Sequence, residues 1–98
     1  MTHKSTMIKK TIILKGRVQG VGCRNYCAKY ARKFAIQGSA TNLRDGTVKL
    51  IVEAENGSII QKYISALISN PGGFMFYGDI RDVDVSDYSG SIDGDYNF

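Results

Sequence analysis

A chain of 98 residues, with 13 Lys and Arg against 9 Asp and Glu, can close around only one small core and has no room for a separate cofactor domain. With 43% apolar residues, a single Pro and glycines gathered where turns are wanted, its composition excludes a disordered chain. The opening "MTHKSTM" is polar and lacks the apolar centre of a signal peptide, and "TIIL" is far too short to span a bilayer. A cytoplasmic protein with no membrane partner is expected, with residues 1–7, including His3, as a flexible tail and 8–98 as one domain.

Ile8 to Lys15 is rich in β-branched residues and runs into Gly16, which predicts a short first strand buried on both sides. A glycine-bearing loop follows. Then Cys23, Tyr26, Cys27, Tyr30, Ala31 and Phe34 recur at spacings of three and four, the apolar stripe of a helix, with Arg24, Asn25, Lys29, Arg32 and Lys33 off it. Gly38 is expected to end that unit. "SATN" reads as a second strand leading to "LRDG", whose Asp-Gly is a tight-turn signal. In "TVKLIVEA", Val48, Leu50, Val52 and Ala54 alternate with Lys49, Ile51 and Glu53, as in a sheet covered mainly on one face.

Ile60, Tyr63, Ile64, Leu67 and Ile68 mark a second helix, capped by Asn56 or Ser58 and stopped at Asn70-Pro71-Gly72. "DIRDVDVSDY" predicts a fourth strand, and "DYNF" a short fifth. The order β-α-β-β-α-β plus a terminal strand is that of an α+β, ferredoxin-like sandwich, with two helices on one face of a four- to five-stranded antiparallel sheet. A fold of this kind does not specify an activity.

Cys23 and Cys27 lie four apart on the first helix, at the far end of disulfide range and with unfavourable side-chain directions. Two buried free thiols are expected. With no further thiol or suitably placed His, no metal site is expected either. Charge is uneven: Lys4 to Lys33 holds nine basic residues, the first acid is Asp45, and the last twenty residues carry six Asp against Arg81. Such a basic half can draw in an anion bound near residue 20.

"GRVQGVGCR" supplies the reason. A glycine-rich turn between a strand and a helix aims several backbone amides at one point, and the helix dipole adds positive potential there. Arg24 falls in the first turn, an unfavourable place for a cation unless an anion offsets it, and guanidinium grips phosphate oxygens in a fork. The nucleotide P-loop does not fit, because Cys23-Arg24 stands where Lys-Ser/Thr belongs. The dinucleotide fingerprint fails on glycine spacing. A thiol phosphatase fails because Arg24 directly follows Cys23.

"GRVQGVGCR" followed by "GSATNLRDGTV" resembles the acylphosphatase family, whose signature is a Gly-x-Val-Gln-Gly-Val-x-Phe-Arg loop and a later strand ending in Asn before an Asp-Gly turn. The likeness is close from residue 12 to about 71. It implies hydrolysis of the carboxyl-phosphate bond, giving a carboxylate and inorganic phosphate. Arg24 would hold the phosphoryl group together with the amides of Gln19, Gly20, Val21, Gly22, Cys23 and Arg24 itself. Asn42 would position the attacking water, and the substrate's own phosphate oxygens would take its proton. Cys23 stands where the family has an aromatic, so a void under the loop, costing about 1 to 3 kcal/mol, is expected unless neighbours refill it.

The residue inventory agrees, for it offers no catalytic His, paired carboxylates or metal cluster. An acyl phosphate has a carboxylate leaving group of low basicity, and its hydrolysis needs mainly positioning and stabilisation of phosphoryl oxygens. No cofactor is expected, inorganic phosphate should be product and competitive inhibitor, and a monomer is the default. Two alternatives belong to other classes. An RNA-binding ferredoxin-like module would want exposed aromatics on the central strands, and "IKKTIILK" and "TVKLIVEA" have none. A non-catalytic anion-binding module would differ only in whether Asn42 holds a water productively. Phe74-Met75-Phe76-Tyr77 reads as a segment closing the core, with a partner patch as the alternative.

Overall fold

The computed structural model describes residues 7–98, so His3 and all of the expected tail except Met7 lie outside the described residues. Seven elements follow in order: β1 (Ile8–Arg17), α1 (Cys23–Lys33), β2 (Gln37–Asn42), β3 (Val48–Ala54), α2 (Gly57–Ser69), β4 (Asp79–Asp87) and β5 (Tyr96–Asn97). They form a five-stranded sheet in the order β4-β1-β3-β2-β5, every pairing antiparallel. This is the ferredoxin-like α+β arrangement. No helix among the described residues is long and apolar enough to cross a membrane.

The core follows from strand alternation and helix periodicity. Ile12 and Leu14 of β1, Ala40 of β2, and Val48, Leu50, Val52 and Ala54 of β3 point to one face, where they meet Tyr26, Cys27, Tyr30 and Ala31 of α1 and Ile60, Tyr63 and Leu67 of α2. Register places Leu14, Val48 and Asn42 in one row across three strands. At the usual strand spacing, Leu14, three residues before the end of β1, and Asn42, the end of β2, are therefore roughly 10 Å apart.

Three local expectations are corrected, and the choice between the two cap candidates of α2 is decided. β1 is ten residues long and fully buried on one face only, because both helices lie on that side. Gly38 does not end the helical unit; it lies within β2, hydrogen-bonded to Phe98, and the Ile51 carbonyl together with the Phe98 ring leaves no room for a side chain there. The turn after α1 is made instead by Ala35, at φ 56°, with Ile36 N–H bonded to the Ala31 carbonyl. Ile68 is 57% exposed, and Ala66 takes its place in the α2 stripe. The cap of α2 is Asn56, not Ser58.

The charge asymmetry is partly cancelled by topology. Acidic β4 lies beside basic β1, where Asp87 pairs with Lys10 and Asp84 with Lys15, the latter at 2.7 Å. The Asp84 carboxylate accordingly raises the Lys15 pKa. Two of the nine basic residues in that half, Lys10 and Lys15, are thus paired within the sheet.

Candidate functional site

β1 pairs with β4 as far as Arg17, with a register shift between Lys15 and Gly16, and the chain then leaves the sheet for the loop. Val18 and Val21 are buried, so they pin the loop to the core and leave its backbone facing outward. Gly20 and Gly22 have φ of 72° and 80°, the left-handed region, while the space where a Cβ would stand is open at both. Backbone direction, not crowding, is what these positions require of glycine.

Gly22 is the N-cap of α1, which has no side-chain cap and no acidic residue in its first turn. Among the described residues, the first amide past the loop to find a backbone partner is that of Tyr26, bonded to the Gly22 carbonyl at 3.0 Å. The amides of Gln19 to Asn25 have no acceptor among the described residues. Val21 and Cys23 turn their side chains into the core and offer the site only their backbone. Arg24 is half-buried and pairs with no carboxylate among the described residues.

Asn42 ends β2 on the same face as Ala40, the helix-covered one, one position before the turn. Two contacts draw this strand end toward the loop. The Gln19 side-chain amide donates to the carbonyls of Leu43 and Thr47, at 2.6 and 2.9 Å. Tyr96, opposite Ala40, reaches Asn25 on α1, its hydroxyl 3.4 Å from Oδ1. The turn itself is closed by Asp45 Oδ1, which accepts from the Thr47 hydroxyl at 2.6 Å and its amide at 3.0 Å, bonds that hold the Asp45 carboxyl below its ordinary value. Gln19 was expected to contribute only its amide; its side chain ties the two halves of the site together. A Gln in a glycine loop, where a small residue would serve a mere turn, was the available signal.

Cys23 and Cys27 are buried and free, with their sulfurs 3.8 Å apart. The hydrogen bond with Cys23 and burial push the Cys27 thiol well above its usual value, so it stays protonated and inert. Cys23 belongs to the core cluster against which Phe76, from the α2–β4 connection, also packs. Within "FMFY", Phe74 and Phe76 join the core while Met75 and Tyr77 face out. A concavity of about 440 Å³ runs along α2 past Phe34, Lys62 and Pro71, away from the loop and with no cluster of amides or guanidinium in its lining.

Fold and geometry together define a small α+β domain with a candidate anion cradle at the head of its first helix. The family model for acylphosphatase matches residues 10–97, well beyond the segment in which the motifs are dense. The chain is 36% identical over 80 residues to an acylphosphatase of Clostridium perfringens, covering 82% of this chain and 88% of that one. It is 31% identical over 78 residues to one from Petrotoga mobilis, covering 80% and 85%. The crystal structure of acylphosphatase from Bacillus subtilis superposes with a TM-score of 0.70 at 29% identity, over 95% of this chain and 96% of that one. This chain belongs to the acylphosphatase family.

Proposed function

We propose that this chain hydrolyses acyl phosphates to a carboxylate and inorganic phosphate, using the 19–24 loop, Arg24 and Asn42. The observation that carries the reading is the uncapped start of α1, whose leading amides find no acceptor among the described residues and whose second residue is Arg24, paired with no carboxylate there. The phosphoryl oxygens accept from the amides of Gln19 to Arg24 and from the Arg24 guanidinium. The loop amides are anchored through the buried Val18 and Val21, so charge gathering on those oxygens meets donors already close to place.

Asn42 stands at the end of β2, tied to the loop through Gln19, where its amide can hold a water in line with the leaving carboxylate. The attack forms a bond from water oxygen to phosphorus and breaks the bond from phosphorus to the acyl oxygen. The water's proton passes to a phosphate oxygen, and the leaving carboxylate needs none. Cys23 and Cys27 take no part, because both side chains are buried in the core. Support comes from the family match and from the pairing of this geometry with a substrate that requires no general acid.

The test is an assay of purified protein on benzoyl phosphate with chelator present. Turnover inhibited competitively by inorganic phosphate is the expected result. Full loss of activity in chelator, restored by a divalent ion, or equal activity on a simple alkyl phosphate, would contradict it.

A further inference from the structure

The connection between α2 and β4 is a strap laid backward along α1, touching it turn by turn. At the far end, the Tyr30 hydroxyl donates to Asn70 Oδ1 at 2.6 Å and accepts the Gly72 amide at 2.8 Å. Asn70 also receives the Phe74 amide and donates to the Phe74 carbonyl, both at 2.9 Å. One turn back, Phe76 stacks on Tyr26, ring centroids 4.3 Å apart and planes 13° from parallel. At the near end the Tyr77 amide donates to the Val21 carbonyl at 3.1 Å. Gly78 sits so close to the loop that a methyl group there would run into the Arg17 carbonyl and the Val21 side chain.

A trans peptide unit is planar, so the Val21 carbonyl and the Gly22 N–H point in opposite directions. A carbonyl held toward the strap holds that N–H away from it. We propose that the backbone amide of Tyr77 is a positioning group for the phosphate cradle, fixing the Val21–Gly22 peptide so that the Gly22 amide faces the bound anion. The inference rests on the reading of the loop as the phosphate site. Its physical sense is preorganisation: a loop with glycines at 20 and 22 has wide backbone freedom, and an amide ordered only on binding loses affinity to that ordering. The Tyr77 ring has no share in this, being 71% exposed.

The test compares Tyr77→Pro, which deletes the N–H, with Tyr77→Ala, which keeps it and removes only the exposed ring. Inorganic phosphate is titrated into each protein while the amide resonances are followed. Tyr77→Ala should bind like the parent. Tyr77→Pro should bind about 3- to 10-fold more weakly, the loss of roughly one hydrogen bond's effect, with a displaced Gly22 resonance before phosphate is added. A folded Tyr77→Pro with parental affinity overturns the proposal, as does a Tyr77→Ala that is equally weakened. Should Tyr77→Pro fail to fold, Gly78→Ala decides, since it forces strap and loop apart: weakened binding supports the brace and parental binding overturns it. A parent that binds no phosphate defeats the site reading itself, whereas a parent that binds leaves these variants to judge the brace alone.

Discussion

The two helices begin in opposite ways. α2 closes its own N-terminus: Asn56 is extended, and its side chain accepts the Ile59 amide at 3.0 Å. Neither helix has an acid in its first turn, but α1, of similar length at 11 residues against 13, begins at a glycine with no side-chain cap and has Arg24 as its second residue. A cap is worth about 1 kcal/mol, and a cation at a helix start works against the dipole. Stability alone favours the arrangement of α2 at both places. The chain forgoes it at α1, and both deficits are met once a phosphate sits on the open amides beside the guanidinium. A helix start left open is weak evidence by itself; beside an unpaired Arg, it is the contrast on which the proposed site rests.

The largest effect should come from making α1 resemble α2 in charge. Arg24→Gln removes the cation from the cradle, so phosphate affinity and kcat/KM on benzoyl phosphate should both fall, by about 2 to 4 kcal/mol in transition-state terms. Its melting temperature without phosphate should hold or rise, because an unfavourable charge has left the helix start. Parental inhibition by phosphate in this variant would break the comparison at its root. Next comes Asn42→Ala, which leaves α1 untouched. Its turnover should fall by about 100-fold, as misplacing a reactant does, with phosphate inhibition almost unchanged. A variant that turns over like the parent would return Asn42 to the role of a residue beside a turn.

How much of this was legible in the sequence depended on how local the determinants were. The loop, the α1 stripe and the Asp-Gly turn each rest on residues a few positions apart, and they stand where the pattern put them. The cap of α2 was narrowed to two residues, and geometry selected Asn56. What escaped was set by contacts between distant segments. Nothing near Gly38 shows that Phe98, sixty residues on, packs against it, and nothing near Ala35 shows that a non-glycine would take the left-handed turn. Ile68 continues the helical spacing, yet it lies on the exposed side of α2. In the site, Arg24 and Asn42 came from a motif, whereas the Gln19 clamp and the Tyr77 brace depend on where the turn and the strap come to lie. "FMFY" showed an apolar run; only packing revealed that it alternates, two rings in and two side chains out.

That clamp gives a middle-sized prediction. Gln19→Leu keeps the loop amides and the α1 start but removes the two bonds to Leu43 and Thr47, whose carbonyls retain partners within their own turn. Stability should fall by about 1 kcal/mol. Because the released segment carries Asn42 and not the cradle, kcat should fall by about 10-fold while phosphate inhibition changes much less. A loss in phosphate affinity as large as the loss in kcat would show that Gln19 supports the loop itself and not the link between its two halves.

The smallest effect on function, and the cleanest control on the comparison, is expected from Asn56→Ala. This substitution uncaps α2, leaving its start as open as that of α1 but without an arginine or a glycine loop beside it. It should cost about 1 kcal/mol, which in a domain of this size lowers the melting temperature by about 4 to 8 °C. Its phosphate inhibition constant should equal the parent's. The two statements can be checked in one experiment, because a ligand that binds only the folded state stabilises it by an amount set by its concentration and dissociation constant alone. Adding phosphate should therefore raise the stability of the parent and of Asn56→Ala by equal free energies, from different starting points, and raise that of Arg24→Gln hardly at all. If the gain in Asn56→Ala exceeds that of the parent, the newly opened start of α2 binds phosphate too, and an uncapped helix would suffice without its arginine. If the gain is smaller, the two helix starts are coupled through the core. Equal gains would leave the open amides of α1 and the Arg24 guanidinium as the pair of features that turns a helix start into a site.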